Sequence, residues 1–166
     1  MHAEILLWLG RYRSIFVPLI GFSAITLKWF GVISAESIFA EQFGVRQLLL
    51  GTGVLIVVYV LFERLIGWQV RRSGVAGHAV VVSTIFADIF ALFMGVALLT
   101  PPEYYGRALI ISIFTVQITQ IFFGWTATIW GLVLIVVGYT TLVAVAADAG
   151  APISPGEELW TLVLYG

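Results

Sequence analysis

The chain has 166 residues, 61% of them hydrophobic and only 10% charged, with a net charge of −1 and no cysteine. A soluble domain carries roughly a quarter charged residues, so this chain cannot cover a water-facing surface. The near-zero charge gives no sign of a nucleic-acid partner, and none is expected; the missing cysteine excludes disulfides, thiolate catalysis and cysteine metal sites.

The N-terminal residues MHAEILLWLGRYR lack the layout of a cleaved signal peptide: Glu4 comes early, the apolar stretch is short, and Arg11 and Arg13 follow it. Ile5 to Leu9 with Arg11-Tyr12-Arg13 reads either as an interfacial helix or as an extension of the first span. That span is expected over about 14–34, with Pro18 as a kink point and Lys28 snorkelling to the headgroups one turn from its end. The second span is expected over 47–66, with Glu63 and Arg64 ending its apolar run at the surface. The third, 77–99, carries Asp88 at its centre and is stopped by Pro101-Pro102.

From Ala108 to Ala147 there is no Asp, Glu, Lys, Arg or His. As helix that run is about 60 Å long, two crossings of a ~30 Å hydrocarbon core. It therefore splits into spans at 107–123 and 126–147, turning at Phe123-Gly124-Trp125-Thr126, where Gly124 permits a tight reversal. A sixth span is expected to start near Leu159. Its eight residues to Gly166 reach about 12 Å, so a fragment of a longer protein is expected. The fold class is thus all-α, a polytopic transmembrane bundle in one domain, with five full spans and the start of a sixth.

Arg11 and Arg13 precede the first span, and Arg64, Arg71 and Arg72 lie between the second and third. The alternate loops hold Glu36, Glu41, Glu103 and the acidic stretch DAGAPISPGEE. Basic residues favour the cytoplasmic side, so the N-terminus is expected inside.

Asp88 at bilayer centre costs at least ~2.5–3.5 kcal/mol on insertion scales unless it is partnered. Thr84 lies one turn earlier, and the fourth span supplies Gln117 and Gln120. Thr84, Asp88, Gln117 and Gln120 are the expected polar cluster and candidate ligand contacts, with Tyr104 and Tyr105 as an outer rim. The cluster reads either as glue between helices or as a ligand pocket. His78 is the only histidine near a span, since His2 is terminal, which excludes bis-histidine haem. No zinc-hydrolase, nucleophile-elbow or phosphate-loop motif occurs. No enzyme activity, cofactor or metal is expected.

A basic GRYRSIFVPLI start, a second span ending in FERLIGWQVRR, a mid-span Asp in FADIFALFMGVALLT, a short turn and a hydrophobic hairpin follow in order. This layout is similar to the six-helix input regions of bacterial membrane receptors, which precede histidine kinase, diguanylate cyclase or adenylyl cyclase domains. It covers essentially the whole chain and rests on layout. The redox-responsive kinases of that group carry Gly-Gly-x-x-Asn-Pro-Phe between the third and fourth helices. Here the place reads LLTPPEYYG, so no site residue carries over. The resemblance implies a bacterial inner-membrane sensor, a homodimer in the lipid bilayer, passing a small hydrophobic ligand's signal or that of the membrane to an effector beyond residue 166. The alternatives are a small transporter or channel component using Asp88 for proton or cation coupling, and a structural subunit without a ligand.

Overall fold

A segment in hydrocarbon must satisfy its own backbone N–H and C=O groups, and for a run of this length a helix does so. The computed structural model describes residues 2–32, 37, 39, 43–151 and 156. Five helices follow one another: α1 (His2–Trp29), α2 (Val45–Ser73), α3 (His78–Leu99), α4 (Tyr105–Phe123) and α5 (Trp125–Asp148). A 3-10 turn, Pro102–Tyr104, stands between α3 and α4. Each helix is long and apolar enough to cross a membrane, and no strand occurs among the described residues. The sixth span expected at 159–166 lies outside the described residues.

Two boundaries depart from expectation. α1 begins at His2, so Ile5 to Leu9 is an extension of the first helix, and Arg11 and Arg13 lie within it rather than ahead of it. Only Gly10 weakens the helix before Ser14, and arginine is a good helix former. α1 also continues through Pro18. α2 runs on through Glu63 and Arg64 to Ser73, because Glu63 is turned into the protein. It ends at Gly74, whose left-handed backbone (φ 68°) lets its N–H bond the Val70 carbonyl.

Other boundaries follow the expected chemistry. α3 stops at Leu99, and Pro101 is extended. The hairpin between α4 and α5 is a single residue, Gly124, at φ 80° and ψ −177°. Only glycine occupies that region without strain. Gly124→Ala is expected to destabilise the hairpin by about 1–3 kcal/mol, read as a lower midpoint in detergent-micelle unfolding. Gly74→Asn is expected to be nearly neutral, since asparagine tolerates the left-handed region.

Packing divides the helices into two groups. α1 lies chiefly on α2, α3 and α4 both pack on α5, and the groups meet mainly where α2 touches α3. Close approach in the first group uses Gly21, where a Cβ would strike the Ile56 side chain. The α2 seam is Thr52, Ile56, Tyr59, Glu63, Ile66 and Val70, spaced alternately four and three, as one helix face requires. The α4 seam is Tyr105, Leu109, Ser112, Val116 and Thr119.

The buried threonine hydroxyls inside the spans are satisfied locally. Thr52, Thr84, Thr119 and Thr128 each donate to the carbonyl four residues back, at 2.9–3.0 Å. At the helix ends Arg46 lies over Trp29 (5.9 Å), Arg72 over Trp68 (5.3 Å) and Arg107 over Tyr104 (4.3 Å). Such pairs suit a membrane–water boundary, where an aromatic ring is apolar on one side and wet on the other.

Candidate functional site

Asp88 stands halfway along α3 and meets residues from two other helices. Arg13 of α1 donates from Nη1 to Asp88 Oδ2. Tyr59 of α2 donates from its hydroxyl to Asp88 Oδ1 at 2.6 Å. Both carboxylate oxygens are thus occupied. Glu63, one turn beyond Tyr59 on the same face, brings Oε1 to 3.8 Å from Arg13 Nη1, with its side chain only 2% exposed. Room for it comes from Gly10, where a Cβ would sit 2.8 Å from Glu63 Oε2.

The cluster therefore opposes one guanidinium to two carboxylates and a phenol. Glu63 Oε1 and Arg13 Nε are buried without a hydrogen-bond partner. Arg13 holds a hydrogen bond to Asp88 and only a long contact to Glu63. A small rotation of its guanidinium would exchange the two acids.

Arg13, Tyr59 and Asp88 form the floor of a groove of about 760 Å³ bounded by α1, α2, α3 and the middle of α4. Apolar walls (Val17, Ile20, Ile56, Leu92, Ile111) rise from Arg13, Tyr59 and Asp88 to Lys28, Pro101 and Tyr104 at the other end. From Arg13 to Lys28 along α1 is about 22 Å at 1.5 Å per residue. A smaller cavity of about 180 Å³ lies across the pair and shares Arg13, Asp88 and Thr115 with the groove. The arrangement can hold an apolar molecule by its length and offer hydrogen-bonding groups to its head.

Of the residues expected to cluster, Thr84 and Asp88 do share a face, and both line the smaller cavity. Thr84, however, spends its hydroxyl on the Val80 carbonyl. Gln117 is exposed on α4 and Gln120 half-buried, and neither lines the groove or the smaller cavity. The expected cluster with these glutamines is corrected on that point. The α4 seam runs through Val116 and Thr119, and each glutamine follows a seam residue by one position, about 100° around the helix. The two rim tyrosines also separate: Tyr104 lines the mouth of the groove, whereas Tyr105 is fully buried with its hydroxyl unpartnered.

Three cluster members, Arg13, Tyr59 and Glu63, escaped the sequence reading. Tyr59 and Glu63 had a usable signal, since the four-and-three stripe of α2 passes through both. Arg13 had none beyond its mid-span neighbours, because its partner is 75 residues away. Compared with family models, curated proteins and solved structures, the chain matches none.

Proposed function

We propose that this chain is a membrane input domain in which the Arg13–Asp88 pair is a ligand-sensitive lock. The observation that carries the reading is the pair's position: it ties α1, which packs chiefly on α2, to α3 at the floor of the groove. A small hydrophobic molecule with a polar head enters the groove and competes for Arg13 or Tyr59. The α1–α2 group then shifts against the α3–α5 group. Such a ligand acts only if it binds one packing better than the other. In this reading the protein sits in a bacterial inner membrane with its N-terminus cytoplasmic, and a sixth helix from about residue 159 carries the shift to a dimeric cytoplasmic effector. The layout resemblance and the basic residues Arg64, Arg71 and Arg72 support these last features.

The absence of cysteine makes the test direct. Spin labels at Leu27 of α1 and Phe90 of α3 measure the distance between groups, and Phe90 with Val136 of α5 measures the distance within one. Asp88→Asn is expected to shift or broaden the first distance by about 2 Å, the scale of helix movements in switches, and to leave the second unchanged. An unchanged first distance would remove the lock. A transport reading is favoured by one observation, the cavity on the far side of the pair. Proton flux into proteoliposomes that Asp88→Asn abolishes would choose transport over sensing.

A further inference from the structure

A third cavity, about 430 Å³, opens between α1 and α2 and takes no part in the lock's groove. Leu6, Leu7 and Ile66 give it apolar walls, and Arg11, Arg64 and Arg71 line it as well. A Cβ at Gly67 would lie 3.8 Å from both Leu7 Cδ2 and Arg71 Nη2, so the Arg71 guanidinium is folded back along α2 toward α1. Among the described residues no carboxylate pairs with Arg11, Arg64 or Arg71. Glu63 is the only acid in the lining, and it is 98% buried and directed at Arg13. The crevice therefore offers three uncompensated guanidinium groups over hydrocarbon walls.

A ligand that complements it needs concentrated negative charge and an attached apolar chain. Free phosphate meets only half of that demand, and a zwitterionic lipid brings its own cation to the arginines. We propose that the crevice binds one anionic phospholipid from the leaflet at the Arg71 end of the bundle. Its phosphate sits at the Arg71 end, with Arg11 and Arg64 reaching toward it from deeper in the bundle, and an acyl chain passes Leu6, Leu7 and Ile66. Guanidinium groups suit phosphate because their N–H groups pair bidentately with its oxygens. Basic pockets between transmembrane helices hold lipid headgroups by this chemistry.

Arg72 provides the control. It has the same charge and is adjacent to Arg71, yet it is engaged over Trp68 and does not line the crevice. The experiment is native mass spectrometry of the full chain in detergent, titrated with phosphatidylglycerol or phosphatidylcholine. One phosphatidylglycerol is expected to be retained in preference to phosphatidylcholine. Arg64→Gln and Arg71→Gln are each expected to weaken retention about fivefold, the share of one arginine near a membrane surface. Arg72→Gln is expected to leave it unchanged. Gly67→Leu keeps every arginine and fills the crevice, and it too is expected to lose the lipid while retaining the parent's helical circular dichroism. Equal retention of the two lipids would overturn the proposal. So would an Arg72→Gln loss as large as that of Arg71→Gln, or displacement of the lipid by millimolar inorganic phosphate. None of these outcomes depends on the Asp88 lock.

Discussion

Arg13→Leu is expected to cost the bundle about 3–5 kcal/mol, and Asp88→Leu distinctly less. The larger figure is that for removing one partner of a buried ion pair. The asymmetry comes from the third charge. Without Arg13, Asp88 and Glu63 face each other's surroundings with no cation between them. Without Asp88, Arg13 still has Glu63, already 3.8 Å away and with Oε1 otherwise unpartnered. Neutral hydrogen bonds between membrane helices average well under 2 kcal/mol, so a loss of this size marks charge rather than ordinary polar contact. The triple variant Arg13→Leu/Glu63→Leu/Asp88→Leu is expected to recover most of the loss, since replacing a whole buried ionic group with packed apolar side chains is often neutral. Unfolding by sodium dodecyl sulfate in mixed micelles, followed by tryptophan fluorescence, measures all three. Equal losses for Arg13→Leu and Asp88→Leu would show that Glu63 does not share the arginine.

Gly131→Leu is the second large effect. Gly131 lies on α5 where α3 and α4 both arrive: a Cβ there would be 2.8 Å from Val116 Cγ2 and 3.6 Å from Ile85 Cγ2. Val116 and Ile85 are themselves buried and β-branched, with little freedom to withdraw. Gly138, further along α5, has the Phe93 ring 2.7 Å from its missing Cβ. Overpacking a fitted interior costs about 1–3 kcal/mol, and a leucine at Gly131 is expected at or above the upper end. Gly95→Leu is the comparison, because nothing lies within 4 Å of a Cβ at that position and the residue faces the open groove. A thermal-melt series in one detergent should therefore place Gly131→Leu lowest and Gly95→Leu beside the parent. Similar midpoints for the two would mean that α5 is not held by close backbone approach.

Hydrophobic length made the helices legible, and local backbone chemistry made their ends so. Pro101 and Gly124 interrupt α-geometry by what they are, without reference to the rest of the chain. Asp88 was legible too, since a lone carboxylate at mid-span must find a partner in the interior. Its partners were not, because pairing across helices depends on how each helix is rotated. Arg13 reads in the sequence as a basic residue ahead of the first span, a signal of orientation, and nothing local shows that a carboxylate of another helix holds it inside. Gln117 and Gln120 are expected in the interior from their depth and from their shared face, three residues apart. Depth along a helix follows from counting residues, but the angle around it follows from the seam, and the seam passes one position before each glutamine.

The 75-residue separation of Arg13 and Asp88 also has a meaning for biogenesis. Chains are synthesised at ~5–20 residues per second, so the acid emerges about 4–15 s after its arginine. Until Glu63 of α2 emerges, the first helix carries an uncompensated cation at the depth where hydrocarbon tolerates it least, and until Asp88 follows it lacks its hydrogen-bonded acid. The first helix can pack on the second as soon as that helix is inserted, but its charge cluster closes only with the third, which makes the final fixing of α1 a late step of assembly despite its place at the start of translation.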